Sequence, residues 1–138
     1  MERHQQLFHQ LSMLHKPYID QLNKILGEYR LNRPQWTIMY ILFNYGPQTL
    51  VEISKYQSIE KPAISRTVNS LEILGYIKSF PGSDKRKKNI LLTEQGEELY
   101  KVFRKEIDEF QLEKLAGISV SEQEQFLTII ERIKQNFY

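Results

Sequence analysis

Ser58-Ile59-Glu60-Lys61-Pro62-Ala63-Ile64-Ser65-Arg66-Thr67-Val68-Asn69-Ser70-Leu71-Glu72 reads as a short helix whose two faces do different jobs. Ile64, Val68 and Leu71 recur at i, i+4 and i+7, the spacing of one buried apolar stripe. The opposite side carries Pro62, Ser65, Arg66 and Asn69, with Lys61 at its start. These are small or hydrogen-bonding side chains with one guanidinium, and nothing bulky blocks the face. Such a surface has the chemistry for a DNA major groove, where Arg pairs with guanine and Asn with adenine. Taken alone, it is better described as a solvated surface helix.

Working outward, the next residues favour the groove. Gly75 ends the helix, and Tyr76-Ile77-Lys78-Ser79-Phe80 alternates like a strand. Pro81-Gly82-Ser83-Asp84 is turn chemistry, and Asn89-Ile90-Leu91-Leu92-Thr93 is a second strand. The tip of this hairpin holds four consecutive cations, Lys85, Arg86, Lys87 and Lys88. Helix, hairpin and basic tip together describe a winged helix-turn-helix.

The formal net charge of +2 is uninformative until it is divided along the chain. Residues 1–54 carry five Lys/Arg against four Asp/Glu, residues 55–92 carry eight against three, and residues 93–138 carry six against ten. The basic excess of +5 is thus confined to the groove helix and hairpin, the footprint expected for phosphate contact. At 138 residues the chain is one domain's worth, and without cysteine it has neither disulfides nor thiol chemistry. Its longest nearly uncharged stretch, from Pro34 to Val51, is broken by Asn44, Gly46 and Pro47, and no signal pattern opens the chain. We therefore expect a soluble, unprocessed, cytoplasmic protein with no membrane contact.

From the N-terminus, Leu7, Leu11, Leu14, Tyr18, Leu22, Ile25 and Tyr29 form one helical seam of nearly heptad period. Pro17 predicts a kink or short break near His15 and Lys16. Asn32 caps a second, largely apolar helix with Pro34 in its first turn, stopped by Gly46-Pro47. Thr49 and Glu52 have capping-box spacing and open a short helix buried through Leu50 and Ile53, after which Tyr56-Gln57-Ser58 is the turn. Beyond the hairpin, Thr93 caps a long helix to about Leu115, with Leu99, Phe103, Ile107 and Phe110 on one face. Ala116-Gly117-Ile118 closes it, and Ser121 with Glu124 is read as the capping box of a last helix bearing Phe126, Ile130, Ile133 and Phe137. The first and last helices have seams without an evident partner.

The expected fold class is therefore mainly α with a small β-hairpin wing (α+β). A winged helix-turn-helix over 31–97 is inserted between N- and C-terminal dimerisation helices, 1–30 and 98–138, in one domain. Leu7, Leu11, Leu14, Phe126, Ile130, Ile133 and Phe137 are the expected homodimer interface.

Ile59-Glu60-Lys61-Pro62-Ala63-Ile64-Ser65-Arg66, leading into Leu71-Glu72-Ile73-Leu74-Gly75-Tyr76-Ile77, carries a family resemblance. So does Asp84-Lys85-Arg86 running to Leu92-Thr93-Glu94-Gln95-Gly96. The chain resembles the MarR family of bacterial transcription regulators over essentially its whole length, the Asp-x-Arg wing before Leu-Thr-x-x-Gly being the most specific part. The resemblance implies a homodimeric, triangular molecule that binds double-stranded DNA at a pseudo-palindromic operator, usually as a repressor. It also implies release when a small organic ligand occupies the crevice between dimer region and winged domain. Residue by residue, it makes Arg86 the wing arginine of the minor groove, Asp84 the acid that orients it, and Ser65 and Arg66 recognition-helix contacts. A turn-forming role for Asp84 is the plainer alternative.

Members that sense peroxide use an N-terminal cysteine, which is absent, and His4, His9 and His15 are spaced so that they do not share one helical face. No metal and no cofactor is expected. An enzyme is disfavoured, since no phosphate loop, metal spacing or nucleophile context occurs. The remaining alternative is a winged-helix protein-protein interaction module without specific DNA binding. Trp36 and Tyr40 are candidate ligand contacts, although aromatics at helical spacing are more often core.

Overall fold

The computed structural model describes residues 1–57, 61–84 and 87–138. Its elements are α1 (Arg3–Glu28), α2 (Arg33–Tyr45), α3 (Leu50–Gln57), α4 (Lys61–Ile73), β1 (Ile77–Pro81), β2 (Lys88–Leu92), α5 (Glu94–Lys114) and α6 (Val120–Gln135). The fold is mainly helical with one antiparallel hairpin, as the residue patterns require. The chain divides inside α5 into two compact units, Met1–Ile107 and Asp108–Tyr138.

In the first unit α1 runs unbroken through Pro17, so the expected break does not occur. A proline forfeits one backbone hydrogen bond, and here it does so in a turn that is exposed to water. Lys16 and Asp20, 2.8 Å apart, brace the helix across that position. The two halves of α1 differ. Leu22, Ile25 and Leu26 are buried, whereas Leu7 and Leu14 are 58% and 60% exposed.

α2 begins at a reciprocal cap in which Asn32 Oδ1 accepts from Gln35 N and Gln35 Oε1 accepts from Asn32 N, both at 2.9 Å. It stops at Gly46, whose φ of +76° lies in the left-handed region. α3 has the expected Thr49–Glu52 box, with Glu52 N donating to Thr49 Oγ1 at 3.2 Å. Ile53 is fully buried and Leu50 half-buried. Tyr56 belongs to α3 and not to a turn: its ring packs on Tyr45 of α2 with centroids 5.0 Å apart, which extends the helix by two residues.

The hairpin pairs Ile77 with Leu92, Ser79 with Ile90 and Pro81 with Lys88. Both strands lie one residue away from their expected spans. Tyr76 is held in the helix stop, its N–H donating to the Leu71 carbonyl at 3.1 Å beyond left-handed Gly75, and Thr93 is used as a cap. Gln48, between α2 and α3, adds a further pairing to β2, with Gln48 N to Ile90 O at 3.0 Å and Ile90 N to Gln48 O at 2.8 Å.

The entry to α5 is clamped onto the α4–β1 corner. The Thr93 hydroxyl donates to the Gly75 carbonyl at 2.6 Å and accepts from Gly96 N at 3.1 Å. A Cβ on Gly96 would sit 2.1 Å from the Tyr76 carbonyl oxygen, so only glycine fits. Tyr100, Phe103 and Ile107 of α5 are buried, and Tyr100 stacks on Phe43 of α2 at 4.4 Å. Tyr29 donates to Glu106 Oε2 at 2.7 Å, and that bond to a carboxylate pushes its hydroxyl pKa up to about 12.

In the second unit, left-handed Gly117 turns the chain into α6. The cap is Ser119, not Ser121: Ser119 Oγ accepts from Glu122 N at 3.1 Å and Ser119 N donates to Glu122 at 3.0 Å. Two overlapping Ser-x-x-Glu boxes exist here, and the one nearer the Gly117 turn is formed because the helix can start as soon as the chain has reversed. α6 buries no residue; Phe126 is 49% exposed, with Ile130 and Ile133 half-buried, and Phe137, expected on this helix, lies beyond its Asn136 cap and is 72% exposed.

Candidate nucleic-acid interface

α4 is the element around which the site is built. Ile64, Val68 and Leu71 are 2%, 5% and 0% exposed and turn one side of the helix into the first unit's core, toward α2 and α3. Pro62 occupies the first turn, where its missing N–H costs no hydrogen bond. The stripe fixes the outward side: Pro62, Arg66 and Asn69 are exposed and Ser65 is half-exposed. The side chain of Lys61 falls outside the described residues.

The flank of α4 is hydrogen-bonded rather than apolar. Thr67 Oγ1 donates to the Ala63 carbonyl at 3.1 Å, and Ser70 Oγ donates to the Thr67 carbonyl at 2.6 Å. Gln35 Nε2 of α2 donates to Ser70 Oγ at 3.1 Å. At the C-terminal end Ser79 Oγ of β1 donates to Glu72 Oε1 at 2.5 Å, tying the helix to the hairpin.

Lys78, Lys87 and Lys88 are exposed on the hairpin, whose first strand packs against α4. Lys88 lies in β2 instead of the tip, because pairing reaches Pro81. The tip is closed by Gly82 N to Lys87 O at 3.1 Å and Lys87 N to Asp84 O at 3.0 Å. Asp84 is exposed and its backbone takes part in that turn. Lys85 and Arg86 fall outside the described residues, and the expectation that Asp84 orients Arg86 falls there with them.

Trp36 and Tyr40 stack obliquely with ring centroids 5.7 Å apart, Trp36 half-buried and Tyr40 38% exposed. An open groove of about 380 Å³ lies elsewhere, lined by Ile19, Asn23, Leu31, Asn32, Arg33 and Pro34, without either aromatic. Nothing in the α1 seam pointed to it, since it forms only where α1 meets the cap of α2. Gln35 and Gln48 were likewise missed; a glutamine three residues after Asn32 was the available signal for the first. Among the described residues no group of three His, Cys, Asp or Glu side chains is placed to hold a metal, and no helix is long and apolar enough to cross a membrane.

A short helix with a hydrogen-bonding outer face, set after α2 and α3 and tied to a lysine-bearing hairpin, defines a winged helix-turn-helix. The profile of the MarR family matches residues 31–88, the segment from the start of α2 to the first residue of β2. The HTH-type transcriptional regulator YwoH of Bacillus subtilis (strain 168) is 32% identical over 120 residues, which cover 87% of this chain and 88% of that protein. Staphylococcus aureus MarR, solved in complex with salicylate and kanamycin, superposes with a TM-score of 0.87 at 27% identity over 96% of this chain and 91% of that one. A mutant of Escherichia coli MarR complexed with operator DNA shares the fold, with a TM-score of 0.81 at 19% identity over 92% of each chain. The chain belongs to the MarR family of transcriptional regulators, which are not enzymes.

Proposed function

We propose that the protein is a cytoplasmic, homodimeric repressor that binds a pseudo-palindromic operator in double-stranded DNA and releases it when a small organic ligand binds. The observation that carries this reading is the outer face of α4, where Arg66 and Asn69 stand exposed opposite a buried stripe, on a helix tied to a hairpin that exposes Lys78, Lys87 and Lys88. Ser65 and Asn69 read base edges from the major groove, and Lys61 and Pro62 border them. Arg66 takes a base or a phosphate, which salt dependence distinguishes. In the wing, Arg86 enters the minor groove, oriented by Asp84, while Lys85, Lys87 and Lys88 reach phosphates. Arg suits that narrow space because its guanidinium is more weakly hydrated than an ammonium.

The dimer is supported by apolar surface left open at two places, Leu7, Leu11 and Leu14 on α1 and Phe126, Ile130 and Ile133 on α6 with Phe137 just after it. A second copy covers both, so that residues 1–30 and 98–138 serve dimerisation and 31–97 serve DNA. The twofold axis then demands half-sites about one helical turn of DNA apart. The effector is best supported by the groove, where the Arg33 guanidinium and the Asn23 and Asn32 amides among Ile19, Leu31 and Pro34 suit an aromatic carboxylate such as the salicylate found with Staphylococcus aureus MarR. Trp36 and Tyr40 are the second candidate contact.

The test is to select duplexes from a randomised pool and measure affinity across salt concentrations. A palindrome bound with an affinity that falls steeply as salt rises is the expected result. Absence of any preferred duplex would instead leave a winged-helix module for protein contact.

A further inference from the structure

We infer that Gln35 is a positioning residue for DNA reading: its buried side-chain amide sets the rotation of α4 about its own axis, and so the angle at which Arg66 and Asn69 are presented. The inference rests on the reading of α4 as the helix that enters the groove.

Gln35 is a polar residue of the core, only 7% exposed. Its amide orientation is forced by its neighbours. Asn32 N can only donate, and lies 2.9 Å from Gln35 Oε1; the other end must therefore donate to Ser70 Oγ at 3.1 Å, and Ser70 passes its own proton to the Thr67 carbonyl at 2.6 Å. The relay is fully paired and points one way, from the cap of α2 into α4. Because Gln35 is anchored on the cap of its own helix, its amide cannot simply follow α4 when α4 moves.

The apolar stripe of α4 cannot supply the same constraint. Burial of Ile64, Val68 and Leu71 is non-directional, and small rocking of the helix leaves it nearly unchanged. A hydrogen bond is directional and weakens steeply off axis. At about 100° per residue, Ser70 lies roughly 120° round from the centre of the stripe and about 40° from Arg66, on the flank, where rotation carries a side chain toward or away from the packed helices rather than across them. Side-chain tips lie about 5–6 Å from a helix axis, so a rotation of about 10° shifts them by about 1 Å, enough to lose a base contact. The bond from Gln35 is placed to prevent that shift.

Gln35→Met keeps length and burial while removing both bonds. Its affinity for the duplex selected by the wild-type protein is expected to fall about tenfold, with affinity for an unrelated duplex unchanged and the thermal midpoint within a few degrees. Ser70→Ala should show the same selective loss, Ser70→Thr, which restores the hydroxyl, should recover most of it, and the double variant Gln35→Met with Ser70→Ala should be no worse than either single one. Equal loss on both duplexes, unchanged affinity with lost stability, or additive losses in the double variant would overturn the inference. Should Gln35→Met fail to fold, the contrast between Ser70→Ala and Ser70→Thr decides alone. A wild-type protein with no preference between the duplexes would overturn the DNA reading itself, and does so before any variant is made.

Discussion

Two helices of this chain, α4 and α6, carry apolar residues at the same three- and four-residue spacing and stand in opposite surroundings. In α4 the stripe of Ile64, Val68 and Leu71 is buried, while in α6 no residue is buried and Phe126 faces water. Both are helices for local reasons, and α6 opens on the reciprocal cap of Ser119 with Glu122. Periodicity therefore selects a helix and one of its faces but does not supply what the face packs on. For α4 the occupant is α2 and α3 of the same chain. For α6 we assign a second copy.

The largest effect should come from breaking the buried side of the comparison. Leu71 is fully buried, so Leu71→Ala is expected to cost about 2–5 kcal/mol in urea unfolding. Next, Phe126→Asp together with Ile133→Asp should convert the protein to monomers in sedimentation and abolish tight operator binding, with secondary structure retained by circular dichroism. If that pair lowered the stability of the chain as Leu71→Ala does, regardless of protein concentration, α6 would be ordinary core and the contrast would disappear.

A smaller effect sharpens the outer face of α4. Asn69→Ala should leave the urea midpoint in place and lose about 1–3 kcal/mol of binding at one base pair of the operator, read by competition among single-base variants. A loss spread evenly over all sequences would reassign Asn69 to phosphate. The smallest effect concerns the cap of α6. Ser119→Ala should cost about 1 kcal/mol of helix stability. The other half of the cap is charged: the Ser119 backbone N–H, and after it the Ser119 side chain, hold the Glu122 carboxyl below its ordinary pKa, so the stabilisation from that carboxylate is complete above the ordinary carboxylate range and is lost as pH falls through the folded value. Helicity followed by circular dichroism on acidification should drop in the wild type and lack that component in Glu122→Gln, whereas Ser119→Ala, which keeps the backbone N–H that the carboxylate accepts from, should retain most of it.

Local chemistry made much of this readable in advance. The caps at Asn32 and Thr49, the stops at Gly46, Gly75 and Gly117, and the stripe of α4 all depend on residues within one or two turns of each other. The misplacements occurred where two local signals competed. Ser119 and Ser121 both satisfied the capping rule, and Tyr76 and Thr93 fitted a strand as well as a turn and a cap. At Pro17 the helix continues without a break, because the proline forfeits only one backbone hydrogen bond in an exposed turn.

What the sequence by itself determined is the succession of helices and hairpin, the polar face of α4, the concentration of cations around it and the apolar seams of the end helices, because these follow from spacing, capping and charge along the chain. Only the tertiary structure decided which seams are filled, that Tyr100 stacks on Phe43, that Gln48 pairs with β2, that Gly96 must admit the Tyr76 carbonyl, and that Gln35 reaches Ser70. Those contacts join residues far apart in the chain. Hydrogen bonds and close packing act over a few ångströms, so no pattern in the order of residues announces them until the helices have come together.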